Sequence, residues 1–68
     1  MKQISGKEFC KLLEKRGWRS VRIHGSHHIY MKEGTIIRIS VPVHRNKTLK
    51  IGLLKYFMKV AGLDEEDL

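Results

Sequence analysis

The chain has a single cysteine, Cys10, and a single proline, Pro42. One cysteine excludes an intrachain disulfide, so no covalent staple holds this fold, and the usage fits a reducing compartment. No apolar run is long enough to cross a bilayer, and the N-terminus lacks the apolar stretch of a signal peptide. The expectation is a soluble, cytoplasmic protein with no membrane partner. Acids are scarce over most of the length. Residues 1–63 hold only Glu8, Glu14 and Glu33 against all fourteen Lys and Arg, a net +11; Asp64, Glu65, Glu66 and Asp67 then lower the total to +7. A P-loop, a dinucleotide fingerprint and a Ser-His-Asp system are also lacking, which argues against the nucleotide-dependent and triad-based enzyme classes. Repeats, linkers and low-complexity segments are absent as well.

What the chain does have is basic charge and histidine. A body this basic favours nucleic acid, an anionic membrane surface or an acidic protein, with simple solubilisation as the bland alternative. No segment offers the apolar face with aromatic anchors that a membrane-surface helix needs, so nucleic acid leads. Three of the four histidines fall within Arg22-Ile23-His24-Gly25-Ser26-His27-His28-Ile29-Tyr30. Imidazole titrates nearest neutrality and can give or take a proton under cellular conditions. A titratable group at a turn within a basic surface points to chemistry on a polyanion. Sixty-eight residues make one domain, 1–68, whose core is marginal and of the kind that leans on a partner.

Ser5-Gly6-Lys7-Glu8 has the form of a capping box, with Ile4 and Phe9 placed for a hydrophobic staple. Phe9, Leu12, Leu13 and Arg16 then follow helical spacing, with Cys10 a small buried apolar residue beside them, and Gly17 ends a helix over about 6–16. Alternation in Trp18–His24 predicts a strand and Gly25-Ser26 a reversal, followed by a second strand that opens on His27 and runs to Lys32. Glu33-Gly34 turns the chain into a third strand through Val43, whose Pro42 lacks an amide donor and so suits a sheet edge. After the polar 44–48 connection, a second helix is predicted from Leu49 or Lys50 to Ala61, stopped by Gly62, with Asp64 able to cap one more turn. The fold class is α+β, in the order α-β-β-β-α, with a three-stranded antiparallel sheet covered on one face by both helices. Strand parity assigns Val21, Ile23, Ile29, Met31, Ile37, Ile39, Val41 and Val43 to the covered face. It leaves Arg22, His24, His28, Tyr30, Arg38 and Ser40 on the open face.

This order and length are similar to the double-stranded-RNA-binding domain. More specifically, the chain resembles a HicA-type toxin, a small ribosome-independent mRNA interferase of bacterial and archaeal toxin–antitoxin pairs. The resemblance spans nearly the whole chain. It rests on Ser5-Gly6-Lys7-Glu8, Gly17-Trp18, Gly25-Ser26-His27-His28-Ile29-Tyr30, Val41-Pro42-Val43-His44, Asn46 to Leu54, and Ala61-Gly62-Leu63. It implies a metal-independent endoribonuclease acting on mRNA without a cofactor, with His27 as the catalytic residue. It also implies a HicB-type antitoxin that covers the active site. The turn Lys32-Glu33-Gly34 is shorter than the Pro-Asp-Gly hairpin common in the family, a departure confined to the hairpin tip. A non-catalytic RNA-binding module of the same fold is the alternative reading.

Metal-free RNA cleavage needs the 2′-hydroxyl deprotonated, the phosphate charge stabilised and the leaving oxygen protonated. Histidine serves the first or last need, and Lys or Arg the middle one. His27 is the expected acid/base; Arg22, Lys47 and Lys50 are the candidate phosphate ligands, two of them at the start of the second helix, whose amides also favour anions. Ser26, His28 and Tyr30 complete the expected RNA-binding set. Tyr30 would stack on a base or else serve as a plain strand aromatic. Parity points His27 toward the helix-covered side and His28 outward, so a half-buried His27 at the mouth between sheet and helix is expected. His24 and His44 read as surface histidines and Trp18 as packing. A metal site from His24, His27 and His28 is disfavoured, because adjacent strand residues diverge and no Cys, Asp or Glu is nearby in sequence.

Overall fold

A computed structural model describes residues 2–68. The first helix, α1 (Gly6–Lys15), starts as its sequence dictates. The Glu8 amide donates to Ser5 Oγ at 3.1 Å and the Ser5 amide donates to Glu8 Oε1 at 3.0 Å, a reciprocal capping box. The Ser5 amide holds the Glu8 carboxyl below its ordinary range. Phe9 and Leu13 are fully buried on the inner face of α1, with Cys10 almost so.

Three strands follow: β1 (Trp18–His24), β2 (His27–Lys32) and β3 (Arg38–Pro42). They form an antiparallel sheet in the order β1-β2-β3, so β3, with Pro42 at its end, is an edge strand. The second long helix, α2 (Ile51–Ala61), completes the expected α-β-β-β-α order. It starts two residues later than Leu49, because Leu49 is drawn into an extended segment. Its amide donates to the Ile4 carbonyl at 2.8 Å, and Thr48 bridges to Ser5. Asp64 caps a final 3₁₀ turn, Glu65–Asp67; Arg16 pairs with Asp67, and Leu68 packs on the core. None of the helices is long and apolar enough to cross a membrane, among the described residues.

Both helices lie over one face of the sheet. Phe9 and Leu13 from α1, Leu54, Phe57 and Met58 from α2, and Trp18, Tyr30, Ile39 and Val41 from the sheet form one cluster. The Phe9 and Phe57 rings stack with centroids 5.6 Å apart, tying the two helices together. Leu53, one turn before Phe57 in α2, is exposed.

Strand parity differs from the sequence expectation in two places. In β2 the inward residue is Tyr30, only 2% exposed, whereas Ile29 and Met31 are half-buried on the other face. The segment His28-Ile29-Tyr30-Met31 carries an apolar body in both phases, so alternation alone does not choose between them. The larger ring, with a hydroxyl partner waiting on α1, decides it. In β1, Ser20 pairs with Tyr30 but Arg22 pairs with Ile29, so Val21 is the extra residue of a bulge. The bulge leaves Val21 42% exposed, and Ile23 lies at an uncovered corner, 61% exposed. Ile37 and Val43 fall outside β3, and Ile37 is exposed.

The tightest junction is between α1 and the end of β3. A Cβ added at Gly6 would lie 2.1 Å from the Pro42 carbonyl oxygen and 3.3 Å from Val43 Cα. Backbone atoms cannot yield as a side-chain end can, so Gly6→Ala is expected to cost about 1–3 kcal/mol. Gly52, in α2 with open space around it, is the contrast: Gly52→Ala should stabilise by up to about 1 kcal/mol. Denaturant midpoints of the two variants check both signs.

Candidate nucleic-acid interface

The site starts from the β1–β2 reversal. His24 pairs with His27, which leaves Gly25 and Ser26 as a two-residue turn. Gly25 has φ +60, in the left-handed region that a residue with a Cβ resists. The tight turn makes His27 the first residue of β2, fixed by pairing to His24 on one side and Pro42 on the other.

Residues paired across an antiparallel ladder share a face. His24, His27 and Pro42 therefore lie together, followed along the sheet by Arg22, Ile29 and Ser40, and then by Arg19, Met31 and Arg38. This is the face opposite the helices. His24, His27, Arg22, Arg19, Arg38 and Ser40 are all exposed on it. The expected directions of the two adjacent histidines are thus reversed: His27 points into solvent from the open face, and His28 is half-buried on the helix side, in register with Val41. The cause is the inward Tyr30, since positions two apart must follow it. His27 and His28 diverge, so the two do not converge on one ligand.

Tyr30 itself leaves the expected RNA-binding set. Its hydroxyl donates to Glu14 Oε2 at 2.6 Å beneath α1, and its ring has no exposed face on which a base could stack. His28 lines a cleft on that side with Lys7, Cys10, Lys11 and Glu14. Burial pushes the Cys10 thiol up, consistent with an unreactive apolar role.

The remaining expected residues gather at the His27 end of the sheet. The Ser26 carbonyl accepts from the Val43 amide at 2.7 Å, extending the β2–β3 ladder beyond Pro42. Ser26 Oγ lies 3.4 Å from His44 Nε2. The chain then reverses again: Lys47 N donates to the His44 carbonyl at 3.0 Å, across Arg45, whose φ of +54 is left-handed. A groove at the start of α2 is lined by Pro42, His44, Lys47 and Lys50 among others. Lys47 and Lys50 are exposed, Lys50 as the N-cap makes no side-chain cap bond, and the first turn of α2 holds no acid. Pro42 is the link, pairing with His27 and lining the groove. Sequence reading placed Arg38 with Arg22 on the open face but missed Arg19 beside them, and His44 as a neighbour of the Gly-Ser turn. The run Val41-Pro42-Val43-His44 held the second signal, because a strand ending in proline delivers the next residues to the reversal beside it.

A family model described as the HicA toxin of bacterial toxin–antitoxin matches residues 6–63. The chain belongs to the HicA toxin family. The matched span runs from the first residue of α1 past the end of α2, and so includes the turn, His27, the end of β3 and the groove. A HicA toxin belongs to a toxin–antitoxin pair, so the protein has an antitoxin as its implied partner. No curated protein matches the chain. Within this HicA domain no three His, Cys, Asp or Glu side chains are grouped to hold a metal ion, among the described residues.

The Tyr30 anchor predicts an alkaline limit to stability. Burial first, then the Glu14 and Cys10 hydrogen bonds, raise the Tyr30 hydroxyl well above its ordinary 10.0. The neutral phenol is the form the fold favours. Its contribution is complete below pH 10.0 and is lost as pH climbs from there toward the raised folded value. Tyr30→Phe should cost about 1.5–3 kcal/mol near neutrality, the range for a hydrogen bond to a charged acceptor. It should also flatten the alkaline fall in the denaturant midpoint. An equally steep fall in the variant would show that the anchor does not set the limit.

Proposed function

We propose that this HicA-family chain is a metal-independent endoribonuclease that cleaves mRNA in the cytoplasm, with His27 as an acid/base, and that a HicB-type antitoxin silences it by covering the same face. The observation that carries this reading is the placement of His27: exposed, at a tight turn, on the open and arginine-bearing face of the sheet. A side chain there costs the core nothing, and a proton-transferring group is of use only where substrate can reach it.

The chemistry follows from the neighbours. Arg22, Arg19 and Arg38 can follow the phosphates of a single strand laid across the sheet, and Lys47 and Lys50 extend the charge to the start of α2. The uncapped amides of α2 add partial positive charge at the same place. These groups stabilise the charge that builds on the phosphate as the 2′-oxygen attacks, and His27 moves a proton at one of the two oxygens. His28 acts from the far side of the sheet and contributes chiefly to packing. The antitoxin that fits this face is acidic, because its carboxylates would meet a surface built to meet phosphates.

His27→Ala should slow cleavage of a defined RNA by about 10²- to 10⁴-fold, with thermal melting and RNA affinity almost unchanged. His28→Ala should retain cleavage and lose some stability instead. Normal cleavage by His27→Ala removes the assignment. Binding without cleavage by the parent chain would favour a non-catalytic RNA module, and loss of activity on chelation would point to a metal.

The charge-reversed pair Lys47→Glu and Lys50→Glu should weaken binding to all RNA sequences alike. Each phosphate contact on a single strand contributes about 0.7 to the salt slope, so the double variant should lower that slope by roughly 1–2. An unchanged slope would place the phosphates elsewhere.

A further inference from the structure

We infer that His44 is a second catalytic residue, forming with His27 the acid/base pair that flanks the scissile phosphate; this rests on the ribonuclease reading above. In sequence the two are separated by most of the sheet. The fold closes that distance through three linked contacts. His27 pairs with Pro42; the Val43 amide extends the ladder to the Ser26 carbonyl; His44 then turns its Nε2 toward Ser26 Oγ at 3.4 Å. His44 thus follows two residues after Pro42, the partner of His27, just past the last pair of the ladder. Continued through the Val43 bond, strand geometry would set the two about 7–8 Å apart, the spacing of diagonal neighbours in a sheet. A phosphodiester held between two side chains by hydrogen bonds of about 3 Å fits a gap of this order.

The surroundings suit the role. His44 is exposed, so substrate can reach it. It lines the groove with Lys47 and Lys50, two groups able to hold a phosphate. The contact with Ser26 orients the ring without burying it. The Lys47 amide closes a turn on the His44 carbonyl, with Arg45 in a left-handed backbone that residues with a side chain seldom adopt. That turn fixes the direction in which His44 leaves the strand.

The reaction balances with these two groups alone. One neutral imidazole takes the proton of the 2′-hydroxyl as the 2′-oxygen forms its bond to phosphorus. The bond from phosphorus to the 5′-oxygen breaks, its electron pair stays on that oxygen, and the second, protonated imidazole gives it a proton. The products are a 2′,3′-cyclic phosphate and a 5′-hydroxyl. No oxidant, reductant or further reactant takes part, and solvent restores the two protonation states.

The test uses the full chain and two single-stranded RNAs: an ordinary one and the same RNA with sulfur replacing the bridging 5′-oxygen at the cut site. A thiolate leaves without being protonated, so this substrate needs no acid. The variants are His27→Ala, His44→Ala and His44→Gln, the last keeping a hydrogen bond to Ser26 while unable to transfer a proton. Both His44 variants are expected to melt and bind RNA as the parent does, yet to cut ordinary RNA about 10²- to 10⁴-fold more slowly in single turnover. One of the two positions, His27 or His44, should recover on the sulfur substrate, and that position is the acid. The inference is overturned if His44→Gln cuts ordinary RNA at the parental rate, which would reduce the contact to holding the turn. It is also overturned if neither position recovers, or if both do. These results leave the ribonuclease reading intact as long as the parent cuts and His27→Ala does not. A parent chain that cuts neither RNA ends both.

Discussion

The buried hydroxyl contact between Tyr30 and Glu14 is the constraint from which the arrangement of this small domain follows. Side chains alternate along a strand, so one residue pinned beneath a helix dictates the direction of every other residue in it. With Tyr30 inward, His28 must follow, and His27, Ile29 and Met31 must turn outward. Pairing carries the decision to the neighbouring strand, where Ile39 and Val41 join the same core. The burial of one aromatic ring supplies a few kcal/mol in itself, of order 1.5–3. Its larger effect is to choose, between two nearly equal apolar phases, the one that exposes His27 rather than His28.

Much of the fold was legible because it is locally encoded. Ser5 and Glu8 announce the start of α1, Gly17 and Gly62 mark helix ends, and Gly25 marks the reversal, each through chemistry within a few residues. The phase of β2 was not legible, since Ile29 and Tyr30 compete and the judge, Glu14, lies on another element. The bulge at Val21 was hidden for the same reason: it exists only in relation to the strand opposite. Leu49 kept helical spacing yet was taken by Ile4, a partner 45 residues away. At the site, the Gly-Ser-His run marked His27 as a candidate but misjudged its direction, and the nearness of His44 to the turn showed only once β3 was laid beside it.

The end of the sheet that carries His27 is closely held by its neighbours. Gly6 presses α1 onto the Pro42 carbonyl, and the adjoining Val43 amide is held by the Ser26 carbonyl. The N-terminal segment is in turn bridged to the lead of α2. The last residues of β3 are therefore held from two sides, by α1 and by the β1–β2 turn, and these are the residues beside which His27 and the α2 groove lie. A methyl group at Gly6 would disturb the site without touching it.

The sheet has one face that carries the core and one that the core does not use. Arg19, Arg22, Arg38 and Ser40 are exposed and stand on the far side from the Phe9–Phe57 stack. Surface substitutions away from packed or bonded features usually move stability by no more than about 0.5 kcal/mol. The open face can therefore drift in sequence almost free of the folding constraint, even in a domain with little stability to spare. A lineage carrying this scaffold can change the charge and shape of that face in single steps that each leave a folded protein. On the proposed reading, in which RNA and antitoxin meet this face, recognition and folding are inherited separately.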